Sequence, residues 1–377
     1  MFGRGIHLFT VFGFSVRLDP SWFIVAVLAT SNLATQLFPA QNPGLPRSTY
    51  WWMGVAGALL LFASVVVHEL AHSLVARRYG VPMRGITLFL FGGVAEMTSE
   101  VPTPKAEFWI AIAGPAMSLA IALAGWGLSL AGTGLGLPVP VLGVLAYVAA
   151  INAMLVAFNM VPAFPLDGGR VLRSILWHWK GSLRRATRIS SQIGSGFGFL
   201  LIAVGILLVI QGNWSGIWFF LLGLFLRNAA QMSYQQLLLR RAFEGEPVSR
   251  FMQANPVTVP RQASVAELVQ DYIYRHHFKM YPVLDDAGRL LGCVTARQVK
   301  ELPREEWDNT TVGALARHCS PENTVRPDTD AMSALAAMNR TGVSRLMVAD
   351  GDRLLGILTL KDLLRFFSLK MELEQTS

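Results

Sequence analysis

Six stretches of this chain are apolar for long enough to cross a bilayer, near residues 21–38, 51–78, 106–130, 138–161, 193–211 and 214–230. Roughly 20 apolar residues in a helix span the ~30 Å of hydrocarbon. A segment in that environment has few alternatives to helix, because each backbone N–H and C=O must find its partner internally. The spacing predicts a polytopic α-helical membrane protein with about six transmembrane helices. Pro20, Ser21 and Trp22 lead into the first run and no small-residue cleavage site follows it, so it is expected to remain a membrane helix rather than a removed signal.

Charge is placed as that reading requires. Residues 1–230 hold 14 Lys+Arg and 6 Asp+Glu, a net of +8, whereas residues 231–377 hold 18 of each. The basic residues gather beside alternate ends of the runs: Arg4 and Arg17, then Arg77, Arg78, Arg84 and Lys105, then Arg170, Arg173, Lys180, Arg184, Arg185 and Arg188. The opposite connections, 39–50, 131–137 and 212–213, contain only Arg47. Positive charge marks the cytoplasmic side, so both termini are expected in the cytoplasm of a cell membrane, and the compact chain suggests a prokaryotic one. The same distribution makes the lipid bilayer the expected partner and leaves no nucleic-acid partner, despite a pI near 9.8. Trp51, Trp52, Trp214 and Trp218 suit an aromatic belt at the membrane surface.

Between the second and third runs, Gly85 to Met97 is short, rich in β-formers and carries Gly92-Gly93. It reads equally as a membrane-associated strand or hairpin covering a cavity and as an interfacial loop. Composition changes after Arg241. The expected division is a membrane domain over 1–230, a linker over 231–247 ending in Glu244-Gly-Glu-Pro247, and two copies of one α+β module over 248–306 and 307–377. The repeat is explicit: Tyr281-Pro-Val-Leu-Asp-Asp-Ala-Gly-Arg-Leu-Leu-Gly recurs 64 residues later as Arg345-Leu-Met-Val-Ala-Asp-Gly-Asp-Arg-Leu-Leu-Gly. Each copy reads as helix, strand, Asp/Gly turn, strand and closing helix. The only cysteines, Cys293 and Cys319, lie in this half and form no disulfide framework.

Chemistry concentrates in the second apolar run, as His68-Glu69-Leu70-Ala71-His72. Residues four apart on a helix share a face and lie about 6 Å apart along its axis. Both imidazoles can therefore meet one metal with Glu69 beside them, the arrangement of a zinc hydrolase. The alternative, a chance match on a solvated face, would have to place two His and a Glu in an otherwise apolar membrane helix, where ionisable groups are costly. A third ligand has few candidates. Asp19 and Glu107 stand at helix starts, Glu107 near Lys105, where a solvated structural role is expected. Asp167, Glu96 and His178 remain, and Asp167 stands apart in Asn159-Met-Val-Pro-Ala-Phe-Pro-Leu-Asp-Gly-Gly-Arg170, where Pro162 and Pro165 break the helix.

His68-Glu69-x-x-His72 followed by Asn159-x-x-Pro162-x-x-Pro165-x-Asp167-Gly168 resembles the site-2 protease family of intramembrane zinc metalloproteases, peptidase M50-like, over roughly residues 1–230. The resemblance implies one Zn2+ per chain held by His68, His72 and Asp167, with Glu69 as general acid/base. Asn159 would aid substrate positioning or the oxyanion, Asn152 being a less specific match, and Phe91-Gly92-Gly93 would engage an unwound substrate strand. The implied reaction is hydrolysis of a peptide bond within or near the transmembrane segment of another membrane protein. The tail resembles a tandem pair of CBS domains, which implies ATP, ADP or AMP in the cleft between copies and a homodimer through these domains. Gly356-Ile-Leu-Thr359-Leu-Lys-Asp362 matches the nucleotide pattern, with Thr359 toward phosphate and Asp362 toward ribose. The first copy keeps Thr295 but has Gln298 in place of the aspartate. Rival readings are a CBS-regulated transporter or channel, which needs polar residues along several spans, and an inactive scaffold, which has no use for Glu69.

Overall fold

The structure is a computed structural model, described over residues 5–375 apart from 91, 98 and 99. Phe91 and the side chain of Glu96, both singled out above, lie outside the described residues. The chain divides into two compact units, residues 1–235 and 236–377.

The first unit begins with a β-hairpin that the sequence reading did not anticipate. Strands β1 (Ile6–Val11) and β2 (Phe14–Leu18) are antiparallel and turn at Phe12-Gly13, both at positive φ. β2 pairs in parallel with β3 (Met83–Phe89), which turns back antiparallel into β4 (Gly92–Met97), giving the sheet order β1-β2-β3-β4. Val16 and Ile86 are fully buried, and Ile86 packs in a cluster with Leu18, Leu88, Trp22, Val65, Val66 and Leu70. The segment read as strand or loop is therefore half of a four-stranded sheet, with β4 as its edge.

Helix α1 (Ser21–Asn32) continues through a π-helical turn, Leu33–Leu37, into α2 (Phe38–Gln41). Then follow α3 (Arg47–Arg78), α4 (Pro104–Gly134), α5 (Val139–Asn159), α6 (Asp167–Lys180), α7 (Leu183–Ile210) and α8 (Gly216–Phe243). Among the described residues five helices are long and apolar enough to cross a membrane: Ser21–Gln41, α3, α4, α5 and α7. The sixth expected span falls on the opening of α8, whose apolar run ends at Arg227-Asn228 inside a continuous helix. Local chemistry sets the boundaries. Thr103 caps α4 by accepting the Ala106 N–H at 3.2 Å, with Pro104 as the first helical residue. Gly181, at φ +64°, ends α6. Pro162 and Pro165 keep α5 from running into α6.

The second unit contains two four-stranded mixed sheets. One has the order β6 (Val259–Pro260), β7 (Met280–Leu284), β8 (Leu290–Thr295) and β9 (Arg317–His318). The other has the order β10 (Thr324–Val325), β11 (Arg345–Asp350), β12 (Arg353–Thr359) and β5 (Gln253–Ala254). The long antiparallel hairpins β7–β8 and β11–β12 are the repeated sequence segments. The end strands are exchanged: β5, near the start of the first copy, completes the second sheet, and β9, beyond residue 306, completes the first. Tyr281, Val283, Val294 and Leu268 form one core, and Leu346, Val348, Leu358 and Leu363 the other.

Candidate metal centre

Helix periodicity puts His68 and His72 one turn apart on the buried face of α3, and both are buried. Asp167, the first residue of α6, is brought to them by a tight crossing. The connection from Met160 to Phe164 passes over the first turn of α6 so closely that a methyl group on Gly168 would lie 2.5 Å from the Val161 carbonyl oxygen, and one on Gly169 2.5 Å from the Ala163 carbonyl carbon. Only glycine fits both positions, which gives Asp167-Gly168-Gly169 its physical meaning. Asp167 Oδ2 then lies 3.1 Å from His68 Nε2 and 3.2 Å from His72 Nε2, and the two Nε2 atoms are 3.1 Å apart.

The outer nitrogens are already committed. His72 Nδ1 donates to the Ile110 carbonyl at 2.6 Å, since a carbonyl can only accept, and His68 Nδ1 lies 2.9 Å from Ser118 Oγ. With a neutral imidazole the carbonyl directs the His72 Nε2 lone pair inward, and His68 Nε2 presents its own when Nδ1–H donates to the Ser118 hydroxyl, so that both meet a carboxylate oxygen at one point. Three buried acceptors that close repel one another unless a proton or a metal cation sits among them. Ligands bound tetrahedrally at ~2.0–2.1 Å are about 3.3 Å apart, close to the separations found. A further fit comes from α4. A methyl group on Gly114 would overlap His72 Nε2 and stand 2.5 Å from His68 Nε2, so this glycine keeps open the space in front of the donors. Two imidazoles and a carboxylate are a zinc donor set, and among the described residues this is the one group of three whose donor atoms converge.

The other anticipated residues are placed as follows. Glu69 is half-buried on the same turn as the two histidines, and Gly93 of β4 packs directly on it, a methyl there falling 2.8 Å from Glu69 Cγ. Gly92 opens β4 at φ +128°. Asn159 is the last residue of α5, half-buried, eight positions before Asp167. Asn152 is fully buried and donates through Nδ2 to Ser64 Oγ at 3.0 Å and to the Val148 carbonyl at 2.9 Å, a bond between helices one turn ahead of His68. His178 lies in the last turn of α6, away from the converging group.

The reading of Glu107 as a solvated residue near Lys105 is corrected. Glu107 is 0% exposed, and its Oε1 accepts Arg173 Nε–H at 2.7 Å and pairs with Arg173 Nη2 as well. Its sequence neighbour Lys105 was a misleading guide, because the helix turns Glu107 onto the same buried stripe as Ile110, Gly114 and Ser118. Those three were missed too. Their spacing of three or four residues was visible, but two of them act through a backbone carbonyl and through the absence of a side chain.

In the tail, Thr359 and Asp362 meet: the Thr359 hydroxyl donates to Asp362 Oδ2 at 2.6 Å, the Asp362 N–H returns to Thr359 Oγ1 at 3.1 Å, and Gln253 Nε2 donates to Asp362 Oδ1 at 3.0 Å. They border a cleft of about 440 Å³ that Arg345, Lys361, Arg365, His276 and His277 also line. In the first copy the Thr295 hydroxyl donates to Gln298 Oε1 at 2.7 Å, and Gln298 Nε2 is spent on the Leu315 carbonyl at 2.7 Å.

Comparison with known proteins follows the same division. The family model for peptidase family M50 matches residues 56–137 and 135–202, and that for the CBS domain matches 248–305 and 312–369. The chain is 36% identical over 362 residues to a relative named zinc metalloprotease Rip3 from Mycobacterium tuberculosis, covering 96% of this chain and 92% of that one. It is 30% identical over 372 residues to zinc metalloprotease MJ0392 of Methanocaldococcus jannaschii, covering 98% of each. Among solved structures it is similar to a site-2 protease from Methanocaldococcus jannaschii, at 31% identity over 61% of this chain and 95% of that one, with a TM-score of 0.45.

Proposed function

The chain belongs to peptidase family M50, the site-2 zinc metalloproteases, and carries a tandem CBS module; on that premise we propose that it cleaves a peptide bond within or near the transmembrane segment of another membrane protein, with His68, His72 and Asp167 as zinc ligands and Glu69 as general acid/base. The observation that carries the site assignment is the convergence of three buried lone-pair donors, 3.1–3.2 Å apart, in a space that Gly114 leaves open. Zinc, when bound, lowers the pKa of its water to ~7 and polarises the scissile carbonyl. Glu69 takes the proton released by the attacking water and delivers it to the leaving amine. A helical substrate hides its carbonyls in its own hydrogen bonds and must unwind first. Edge strand β4 offers the unwound segment a pairing partner, and because Gly93 has no side chain, a strand laid along it passes beside Glu69. Asn159 supplies an amide donor toward the developing oxyanion.

Arg77 and Arg78 close α3 just beyond the histidines, and Arg170 and Arg173 follow Asp167. The positive-inside rule therefore supports a site near the cytoplasmic side of a prokaryotic plasma membrane, and with the opening of α8 as a sixth crossing beside the five long apolar helices both termini are cytoplasmic. The test is cleavage of a single-span substrate co-reconstituted in liposomes. Glu69→Gln should lower the rate roughly 10²–10⁴-fold while zinc stays bound. Wild-type cleavage by that variant would refute the assignment of Glu69.

For the tail, the cleft beside Thr359 and Asp362 supports binding of ATP, ADP or AMP: Arg345, Lys361 and Arg365 offer charge to phosphate, and Asp362 offers acceptors to ribose hydroxyls. One such site per chain is expected, because Gln298 is neutral and its amide is already hydrogen-bonded. Nucleotide there would regulate cleavage by favouring one conformation of the protease over another. A homodimer through the CBS modules belongs to the same reading, and sedimentation of the detergent-solubilised protein tests it.

A further inference from the structure

Glu107 is a carboxylate wholly shut off from the surface and without a place in the hydrolytic chemistry. It is 0% exposed in α4, and Arg173 binds its Oε1 through Nε at 2.7 Å and through Nη2. Arg170 Nε lies 4.0 Å from the same oxygen, and Arg170 is also within electrostatic range of Asp167 and Glu69. A buried ion pair is poor value as a source of stability, since desolvation offsets most of its attraction and apolar replacements often do as well; fixing a register is the best-attested use. Here the register at stake is that of α6. Arg170 and Arg173 stand three and six residues after Asp167 on this 14-residue helix, so whatever fixes the two guanidinium groups fixes the rotation and height of the helix that presents Asp167.

The partners lie on one stripe of α4. Glu107 grips α6, the Ile110 carbonyl orients His72, Gly114 leaves the metal its space, and Ser118 meets His68, at steps of three or four residues along a single buried face. Resting on the assignment of Asp167 as a zinc ligand, we propose that Glu107 is the positioning residue for Asp167, acting through Arg173 and Arg170, so that one face of α4 sets all three ligands. A misplacement of an ångström at a metal site is enough to lose affinity. Residues that orient ligands in this indirect way typically contribute roughly 10–100-fold to metal affinity.

The test is a thermodynamic cycle on the full chain in detergent, read as zinc affinity by competition with a chelator of known affinity and as the visible spectrum of the Co2+-loaded protein. Glu107→Gln should weaken zinc binding roughly 10–100-fold and shift the Co2+ bands as the carboxylate leaves. Asp167→Ala should weaken it further, and Glu107→Gln/Asp167→Ala should match Asp167→Ala within about threefold, because a residue that works through Asp167 has nothing left to position. If Glu107→Gln does not elute as the wild-type species, Arg173→Lys takes its place in the cycle; it keeps the charge, loses the forked donor and should show the same dependence on Asp167. Wild-type affinity and spectrum in the folded variant, or an equal further loss when Asp167 is already absent, overturns the proposal. Undiminished zinc affinity in Asp167→Ala alone would instead overturn the ligand assignment beneath it.

Discussion

The two halves of this chain use ion pairs in opposite ways. In the tail the pairs Arg289–Asp285, Arg297–Glu301 and Arg250–Glu246 join residues four apart, and each has at least one partner well exposed. Such pairs contribute about 0–1 kcal/mol each, and the tail's fold rests instead on the apolar cores behind β7–β8 and β11–β12. In the membrane unit the pair Glu107–Arg173 joins two helices with its carboxylate wholly buried. Acids are few in that unit, and among the described residues Asp167 and Glu107 are buried and Glu69 half-buried, Asp167 against the two histidines, Glu69 on their turn and Glu107 against the helix that carries Asp167. Where water is absent an ionisable residue is expensive, so its position carries information that the same residue on a soluble surface does not.

The comparison is broken first by glycines. Gly114→Ala should abolish stoichiometric zinc, because the new methyl overlaps His72 Nε2, even though alanine favours helix over glycine by about 1 kcal/mol. Gly288→Ala in the tail meets open space at φ +75°; backbone strain there should lower stability by roughly 1–2 kcal/mol and leave zinc content unchanged. Metal analysis of both variants decides the point, and full zinc in Gly114→Ala would show that the space lies elsewhere.

Arg173→Ala sharpens the same contrast. It strips a buried carboxylate of its hydrogen-bonded partner, leaving only Arg170 at 4.0 Å, and should destabilise the protein by about 3–5 kcal/mol, whereas Arg297→Ala should leave the melting temperature unchanged. Thermal unfolding in one detergent compares them directly, and equal shifts would erase the distinction between the halves.

Nucleotide titration is the next step down. Calorimetry on the full chain should give one adenine nucleotide per chain, lost in Asp362→Ala and retained in Gln298→Ala. Two sites, or retention in Asp362→Ala, would contradict the asymmetry between the copies.

The smallest effect concerns thiols. Burial pushes the Cys293 thiol up to about 11, whereas Cys319 is exposed. Below that value the folded protein should alkylate quickly at Cys319 and slowly at Cys293. Because the folded thiol holds its proton more tightly than an unfolded one near 9.0, the contribution of Cys293 to stability is intact below pH 9 and declines as pH rises toward 11. Equal alkylation rates for the two thiols would contradict its burial.

Much of this was legible in the order of residues, and the exceptions share a cause. His68, Glu69 and His72 declare themselves because side-chain chemistry and helical spacing coincide, and Asp167 stands out because prolines and glycines interrupt a membrane helix around it. The repeat announces the two modules of the tail. Illegible were features without a side-chain signature: the Ile110 carbonyl that holds His72, the empty face of Gly114, and the two-residue strands β5 and β9, too short for any period, whose exchange between the sheets only the structure reveals. The hairpin β1–β2 escaped for a different reason. Six exposed or half-exposed residues in β1 leave no burial pattern to read, and its register depends on pairing with β3, some seventy residues away. Glu107 was misread from its neighbour in sequence rather than its neighbours along the helix.

The central claim is that His68, His72 and Asp167 jointly hold one zinc ion, and zinc per chain measures it without knowledge of any substrate. Wild type purified in detergent should carry about one zinc, and His68→Ala, His72→Ala and Asp167→Ala, eluting as the same species, should each carry far less. Wild type that stays empty after zinc is supplied, or an Asp167→Ala variant that keeps its full complement, would contradict the account.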